Sequence, residues 1–244
     1  MKVVLVIPTY NERQNIGSLV ERISQIQATL PNRRLNILFV DDGSPDGTAS
    51  EVERLATAHE HIHLLERPEK RGIGTAYLDG FREAIAKIDP SVFVQMDADL
   101  QHPPERIGDL VTALEDSDVA LGSRYVPGGG IEGWSWKRRV LSRGANWVAR
   151  VVLGLSVKDA TTGFKALNRR SVDLLIGVNL SSSGFIYQVE SVYLFERNGL
   201  RIREVPFIFE QRTRGESKLS LEEIFEFLVR LIVIRMRGSK EFGR

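Results

Sequence analysis

Short apolar runs alternate with longer segments of helical periodicity along the first half of the chain. The runs predict five strands: Val3–Ile7, Ile37–Val40, Ile62–Leu65, Val92–Met96 and Val119–Leu121. The segments between them repeat apolar residues every three or four positions and predict helices: Asn15–Leu30, Thr48–His59, Ile73–Ile88 and Pro103–Leu114. Because continuously apolar strands alternate with helices, we expect βαβ units and a mostly parallel sheet with helices on both faces.

The pattern changes after Arg124. The stretch from Val126 to Gly133, "VPGGGIEG", predicts a mobile loop because glycine and proline dominate it. Further elements are predicted with these bounds: a helix at Trp136–Leu153, strands at Phe164–Asn168 and Arg201–Phe209, and a long helix at Leu219–Arg237. We read these segments as additions to one α/β domain, since nothing in them indicates a second core.

Acidic and polar residues follow three of the predicted strands. They form the segments "PTYNE" after the first strand, "DDGSPDGT" after the second and "DADLQH" after the fourth. Ligands of open parallel sheets bind beyond the carboxyl ends of the strands. We therefore expect at least four carboxylates around one crevice at this edge of the sheet.

Such a cluster is costly unless a cation neutralises it, because like charges oppose one another's ionisation. The chain has no Cys, so hard oxygen ligands for Mg²⁺ or Mn²⁺ are the favoured metal chemistry. In an extended segment Asp97 and Asp99 point to one side and can reach one ligand. Asp46 is equally well explained as a residue that caps a turn or a helix.

Magnesium in proteins commonly binds one or two carboxylates together with the phosphates of a substrate. The chain contains neither a Walker A loop nor a G-x-G-x-x-G fingerprint after its first strand, where "PTY" stands instead. Gly72-Ile73-Gly74 is read as a turn that enters a helix. These observations disfavour a P-loop kinase and an NAD enzyme.

Six segments then occur in a recognisable order along the chain: "VIPTYNE", "VDDGSPDGT", "MDADLQHPPE", "GSRY", "TTGFKAL" and "RTRGESKL". In this order they resemble the family 2 glycosyltransferases of the GT-A fold, and most closely the dolichyl-phosphate (polyprenyl-phosphate) mannosyltransferases. The resemblance extends from Val3 to about Leu219. It implies an α/β GT-A domain over residues 1–218, and residues 219–244 are then expected to form an amphipathic helix and a basic tail.

The resemblance also implies a nucleotide site and a metal site. Guanosine is expected at five positions: Pro8, Tyr10, Glu12, Val40 and Asp42. Asp97 and Ala98 are expected to line the nucleotide, and Asp99 and Gln101 match the ligands of Mg²⁺ or Mn²⁺.

Cationic residues are implied around the phosphates. Arg124, Arg212 and Lys218 match positions close to the donor and acceptor phosphates, where they would act in catalysis. Arg138 and Ser142 match positions that hold the phosphate of the lipid. The resemblance also places Asp159 and Gly163-Phe164 in a segment expected near the sugar, and it assigns Asp159 no role.

The reaction implied by the resemblance moves mannose from GDP-mannose to a polyprenyl phosphate. A phosphate monoester has a second pKa near ~6, so the acceptor needs no dedicated general base at neutral pH. Single displacement would invert the anomeric centre. Two alternatives stay open: a family 2 enzyme that uses UDP-glucose or another nucleotide sugar, and a subunit that binds nucleotide sugar without catalysis.

A basic segment and a C-terminal helix indicate contact with a membrane surface. All three tryptophans lie at 134, 136 and 147, among the cations Lys137, Arg138, Arg139, Arg143 and Arg150. Tryptophan prefers the headgroup layer and cations prefer anionic lipid. The C-terminal helix either lies on the bilayer as well or packs on the domain or a partner subunit.

We expect a peripheral protein on the cytoplasmic face of a membrane, since no window of the chain reaches the length and apolarity of a span. Many members of the family continue into transmembrane helices. The sequence therefore predicts that an anchoring subunit could supply them. A net charge of +1 and the absence of an RNA-binding aromatic motif disfavour nucleic acid as a partner.

Overall fold

The computed structural model describes residues 1–30, 32–178, 180, 184, 186–210 and 221–241. Nine strands are present in these ranges: β1 Lys2–Thr9, β2 Arg34–Asp41, β3 Ile62–Glu66, β4 Val92–Gln95, β5 Val119–Ser123, β6 Gly130–Ile131, β7 Lys165–Asn168, β8 Ile202–Pro206 and β9 Ile208–Phe209. The α-helices in the same ranges are α1 Arg13–Gln27, α2 Thr48–Ala58, α3 Ile73–Lys87, α4 Ile107–Ala113, α5 Trp136–Leu153, α6 Arg169–Gly177, α7 Ile186–Arg197 and α8 Leu221–Glu241. A short 3₁₀ helix at Pro104–Arg106 precedes α4.

Seven strands form the central sheet in the order β3-β2-β1-β4-β7-β5-β8. Every neighbouring pair is parallel except those of β7, which runs antiparallel to both β4 and β5. The expected α/β fold with a mostly parallel sheet is therefore confirmed. Because β7 runs the other way, it begins at the edge where β1, β2, β4 and β5 end.

Two apolar cores cover the two faces of the sheet. Alternate residues of β1 divide between them: Val4 and Val6 pack on the side of α3, α5 and α7, while Leu5 and Ile7 pack on the side of α1 and α4. The period of two in a strand produces this division. Continuous apolar strands are required here because both faces of the sheet are buried.

Two helices and a strand break were not predicted from the sequence. Helix α7 is buried on nearly all sides, from Ile186 to Phe195, so its sequence lacks the amphipathic period that marks a surface helix. Helix α6 begins after Asn168, whose side chain accepts a hydrogen bond from the amide of Ser171 (2.9 Å). Its length of nine residues leaves little room for a periodic signal.

The prediction of one strand over Arg201–Phe209 is wrong. The chain follows β5 as far as Pro206, and the last bond to this strand runs from the Phe207 amide to the Ser123 carbonyl (3.2 Å). Residues 208 and 209 then pair with β6 in a separate two-stranded sheet. This small sheet occupies part of the segment that was predicted as a loop. The predicted boundary at 218/219 lies outside the described residues.

Candidate active site

Five chain segments meet at one edge of the central sheet. β1 ends at Thr9, β2 at Asp41, β4 at Gln95 and β5 at Ser123, and β7 begins there at Lys165. The register aligns these ends: Thr9 pairs with Asp41 in the parallel β1–β2 pair, and Gln95 pairs with Lys165 in the antiparallel β4–β7 pair. The candidate residues that follow β1, β2, β4 and β5 therefore lie at the edge of the sheet where the site was predicted.

The nucleotide residues implied by the resemblance lie on β1 and β2 and in the loops that follow them. Pro8 and Val40 are register partners on the two strands. Tyr10 is 40% exposed, and the Lys70 ammonium lies 4.0 Å from the centre of its ring. Glu12 accepts a hydrogen bond from the Asn15 amide at the start of α1 (2.7 Å). Tyr10 is exposed and Pro8 and Glu12 are partly exposed, whereas Val40 and Asp42 are buried, so the contact of all five with a nucleoside stays a prediction.

Asp42 is paired with a buried arginine. Its carboxylate lies 2.6 Å from Nη1 of Arg67, and both side chains are almost fully buried. Burial raises the pKa of Asp42, against the opposing effect of the Arg67 charge. The guanidinium also donates to Thr75 and lies 3.2 Å from Asp79.

Asp41 and Asp46 have structural roles. The Asp41 carboxylate accepts hydrogen bonds from the hydroxyls of Thr9 (2.9 Å) and Ser44 (2.6 Å). Asp46 accepts from the amide and hydroxyl of Thr48 and from the amide of Arg13, at the starts of α2 and α1. The reading of Asp46 as a capping residue is thus the one that the contacts support.

The expectation of four carboxylates held together by a metal needs correction. Protein donors satisfy Asp41 and Asp46, and Arg67 neutralises Asp42. Within the described parts of the chain, no group of three or more His, Asp or Glu residues is arranged to hold a metal ion. A cation at this edge would have to rely on fewer protein ligands and on oxygens of a substrate.

Asp97, Ala98, Asp99 and Gln101 lie beyond the end of β4 rather than on it. The Asp97 side chain is about one-third exposed, whereas Asp99 is 8% exposed. Leu100 between Asp99 and Gln101 has a φ of 64°, a left-handed conformation that is uncommon for leucine. The Asp99 carboxylate accepts from the Gln101 amide N–H (3.1 Å). This tight turn, not an extended strand, presents the acidic pair.

The orientation of the Gln101 side chain is set by the chain that follows β9. Its Nε2 donates to the carbonyl of Glu210 (3.0 Å). Since the other end of a side-chain amide is its oxygen, Oε1 points away from Glu210. A carboxylate oxygen of Asp99 and an amide oxygen of Gln101 are both ligands that hard divalent cations accept.

His102 is a buried packing residue. Its ring stacks on Phe164 (centroids 5.1 Å apart, planes 10° apart). Its Nδ1 accepts from the Asp97 backbone amide (3.0 Å), so Nε2 carries the proton of the neutral ring. The contact holds the backbone of Asp97 against the start of β7.

Arg124 forms a buried bidentate ion pair with Asp159. Its Nε and Nη2 each lie 2.7 Å from a carboxylate oxygen, and the Arg124 backbone amide adds a third bond (3.0 Å). Asp159 has no exposed surface. This pair was not predicted, because 35 positions separate the two residues along the chain. Binding of phosphate by Arg124 stays a prediction.

A cationic cavity of about 530 Å³ opens between α5 and the loop after β5. Its cationic lining residues are Arg124, Arg143, Arg150 and Lys158. Arg138 and Ser142, predicted to hold the lipid phosphate, lie outside this lining: Arg138 stacks on Trp134 at 3.9 Å, and Ser142 accepts from the hydroxyl of Tyr125 (2.7 Å). Tyr125, which lines the cavity, is therefore hydrogen-bonded to α5 through Ser142.

Comparison with known proteins decides the family. Residues 4–175 match the family model described as Glycosyl transferase family 2. The chain belongs to this family. The resemblance seen in its motifs is thereby confirmed.

Two relatives of this family 2 glycosyltransferase align along its whole length. The polyprenol monophosphomannose synthase of Mycolicibacterium smegmatis is 38% identical over all of this chain and 90% of its own. The dolichol-phosphate mannosyltransferase of Pyrococcus furiosus is 42% identical over all of this chain and 66% of its own.

Solved structures confirm the GT-A fold. A mannosyltransferase of Pyrobaculum calidifontis in complex with GDP-Man and Mn²⁺ superimposes with a TM-score of 0.61 at 18% identity, over 98% of this chain and 75% of that one. Glucosyl-3-phosphoglycerate synthase of Mycobacterium tuberculosis, in complex with Mn²⁺, UDP and glucosyl-3-phosphoglycerate, superimposes with a TM-score of 0.64 at 20% identity, over 97% of this chain and 79% of that one. At such identities the likeness concerns the fold alone.

A buried polar network behind the site escaped the sequence analysis of this glycosyltransferase. Lys165, at the start of β7, is fully buried and donates to Gln188 and Ser191 on α7. Burial lowers the pKa of Lys165 to about 7, although the charges of Asp159 and Asp97 act in the opposite direction. The only sequence signal is a lysine inside an apolar strand.

Helices α5 and α8 expose apolar side chains to solvent. On α5 these are Trp136, Val140, Trp147 and Val151, each at least 60% exposed. On α8 they are Leu228, Val229, Ile232, Val233 and Met236. Leu231 and Ile234 of α8 are buried in the core, so this helix packs on the domain with one face and exposes another.

No helix among the described residues is both long enough and apolar enough to cross a bilayer. Arg212 and Lys218, predicted to act at the donor phosphates, lie outside the described residues.

Proposed function

We propose that this family 2 glycosyltransferase transfers mannose from GDP-mannose to a polyprenyl phosphate, with a divalent cation and with inversion of the anomeric centre. The observation that carries the proposal is the convergence of two features at one edge of the sheet. The acidic turn at Asp97–Gln101 lies there, and so does the cationic cavity under α5. Both relatives that align over the whole of this chain have names that describe attachment of mannose to a polyprenol or dolichol phosphate.

The residues present fit a divalent cation of the Mg²⁺ or Mn²⁺ class. Asp99 and Gln101 would hold it through oxygen atoms, and the oxygens of a pyrophosphate would supply further ligands. When bound, the cation acts as a Lewis acid that favours departure of the nucleotide diphosphate. The complexes of the solved neighbours with Mn²⁺ support this choice.

The acceptor phosphate can attack without a basic side chain. It is largely deprotonated at neutral pH, because its second pKa is near ~6. Its negative charge needs a cationic pocket, since the donor also carries phosphates. Arg143, Arg150 and Lys158 line the cavity that would meet this need, and Arg138 and Ser142 lie on α5 together with Arg143 and Arg150.

The exposed faces of α5 and α8 support attachment of the protein to a membrane surface. The attached side would be the side at which the lipid acceptor binds. Trp136 and Trp147 are 70% and 62% exposed among the cations of α5. Tryptophan rings and cationic side chains together favour the headgroup region of a bilayer. We place the protein on the cytoplasmic leaflet, with the mouth of the cationic cavity facing the lipid.

Donor choice is the decisive experiment. The purified protein would be mixed with a short polyprenyl phosphate and radiolabelled GDP-mannose or UDP-glucose, with Mn²⁺, with Mg²⁺ and with chelator. We expect a labelled lipid product from GDP-mannose and metal only. Label transferred only from UDP-glucose would refute the mannosyl proposal. It would favour the second candidate, a family 2 enzyme that uses UDP-glucose, and one solved neighbour does bind UDP.

Membrane attachment has its own test. Sedimentation with vesicles that contain anionic lipid should fall several-fold for Trp136→Ala combined with Trp147→Ala. The control is Ile208→Ala, which also removes an exposed apolar side chain but lies on neither helix. Equal binding of the double variant and the control would contradict the proposed attachment through α5.

A further inference from the structure

Two hydrogen bonds join Gln101 to the residue that follows β9. Nε2 of Gln101 donates to the Glu210 carbonyl (3.0 Å), and the Glu210 backbone amide donates to the Gln101 carbonyl (3.2 Å). A carbonyl oxygen only accepts, so the nitrogen of the Gln101 side-chain amide must face Glu210. Gln101 is 4% exposed, which leaves water little access to these bonds. The direction in which Gln101 presents its amide oxygen therefore depends on where the Glu210 backbone lies.

The small sheet gives the backbone of Glu210 only a short support. β9 consists of the two residues Ile208 and Phe209, which pair with β6. Glu210 comes directly after them, beyond the last paired residue of the strand. The side chain of Glu210 supplies a second anchor, because its carboxylate is bound by an arginine of α1.

Arg22 of α1 binds two carboxylates at once. Its Nη1 and Nη2 contact the two carboxylate oxygens of Glu210 (3.3 and 3.2 Å). Its Nε and Nη2 contact the two oxygens of Glu105, in the 3₁₀ helix before α4 (3.1 and 2.8 Å). The planar fork of a guanidinium matches the two oxygens of a carboxylate, so each pair fixes an orientation as well as a distance. Arg22 thus connects α1 with the chain on both sides of Gln101.

The backbone of Arg22 is held firmly by the core. Leu19 and Ile23, on either side of it along α1, are 0% and 1% exposed. The three charged side chains are only partly buried: 27% of Arg22, 55% of Glu105 and 39% of Glu210 is exposed. Solvent screens ion pairs of this kind, so they add little to stability. What the four contacts provide is a fixed position for Glu210 relative to Gln101.

We propose that Arg22 is a positioning residue for the metal site, which acts by holding Glu210 in the place where its backbone orients the Gln101 amide. The proposal rests on the proposed function, because that function takes Gln101 as a ligand of the divalent cation. Outer partners of a metal ligand set the direction of the ligand atom and so contribute to metal affinity. Arg22 would extend this support from the turn after β4 to α1.

The test measures how much Mn²⁺ strengthens the binding of GDP, without any transfer reaction. Calorimetry gives the Kd of GDP with Mn²⁺ and with chelator for the wild type, Arg22→Met, Glu210→Met and the double variant. In each single variant the gain in affinity from Mn²⁺ should be roughly 10-fold smaller, the lower end of the range for loss of an outer partner of a metal ligand. The Kd measured with chelator should stay as in the wild type.

The double variant tests the route through Glu210. It should lose no more of the Mn²⁺ effect than the weaker of the two single variants, because both changes break the same ion pair. Glu210→Met also keeps the proposal testable if Arg22→Met fails to fold.

Arg33→Met is the matched control. Arg33 lies between α1 and β2, and its guanidinium also bridges to α4, through the Gly108 carbonyl (3.1 Å) and the Thr112 hydroxyl (2.8 Å). The control should show the wild-type gain from Mn²⁺. A purely structural role of Arg22 predicts instead that Arg22→Met and Arg33→Met behave alike.

Three results would overturn the positioning role. They are a gain from Mn²⁺ in Arg22→Met that equals or exceeds that of the wild type, a loss of GDP affinity that is the same with chelator, and independent losses that multiply in the double variant.

The wild type distinguishes failure of this role from failure of the proposed function. If Mn²⁺ strengthens the binding of UDP and not of GDP, the choice of GDP-mannose fails, and the variants are compared with UDP. If Mn²⁺ strengthens neither, the proposed cation site fails and the role of Arg22 fails with it. A normal Mn²⁺ effect in the wild type and in both single variants would remove the role of Arg22 alone.

Discussion

Replacement of Asp159 by Asn should destabilise the protein more than any exposed acid-to-amide change. The substitution keeps the size of the side chain and removes its charge. Arg124 would then be a buried cation whose two short bonds end on a neutral group. Part of the Asn side chain is an N–H₂ group, which cannot accept from a guanidinium.

The magnitude follows from burial. Arg124 is 7% exposed and Asp159 is fully buried, so solvent cannot replace the lost charge. Removal of one partner from a buried pair costs about 3–5 kcal/mol. The exposed pair of Arg169 and Asp173 makes one contact of 2.8 Å at the surface, and loss of a surface pair of this kind costs about 0.5 kcal/mol or less.

Urea unfolding at pH 7 of the wild type, Asp159→Asn and the control Asp173→Asn measures the difference. The midpoint should fall clearly for the first variant and hardly for the second. A double variant, Arg124→Met with Asp159→Leu, should regain stability, since apolar residues of similar volume can replace a buried pair. A cost below about 1 kcal/mol for Asp159→Asn, equal to that of the control, would refute the reasoning from burial.

Three further predictions concern single residues. Burial lowers the pKa of Lys165 from 10.5 to about 7, so between these pH values the unfolded chain binds more protons than the folded one and the free energy of unfolding rises with pH. From pH 7 to pH 9 the free energy of unfolding of the wild type, measured with urea, should rise by about 2 kcal/mol more than that of Lys165→Met. An equal rise in both proteins would contradict a buried amine that titrates in this range. Asp99→Ala should abolish transfer in the radiolabel assay at every Mn²⁺ concentration, whereas near-normal turnover would remove Asp99 from the metal site. Arg138→Ala should raise the acceptor KM more than the donor KM in steady-state kinetics, and an equal rise in both would count against a separate acceptor pocket.

Periodicity predicted the elements whose pattern repeats. The early strands and α1 to α3 are recovered within a few residues, because a sheet buried on both faces demands continuous apolar runs. The same logic failed at α7, where burial on all sides erases the amphipathic period. It failed again after Pro206, where the chain leaves β5 and pairs with β6 in a second sheet.

Residue type predicted chemistry only in part. The turn at Asp97 to Gln101 was identified because acids after a buried strand are unusual. The four-carboxylate cluster was not realised, since Arg67 neutralises Asp42 from 25 residues away. A charge partner that distant along the chain leaves no trace in local spacing.

The sequence by itself determined the family, the α/β architecture and the edge of the sheet at which ligands should bind. These properties follow from motif order, from the period of apolar residues and from the parallel direction of the strands, all of which act locally along the chain. Only the tertiary structure decided which charges meet. It paired Arg124 with Asp159, oriented Gln188 through Lys165 and left one face of α8 exposed, because contacts between distant residues depend on how the elements pack.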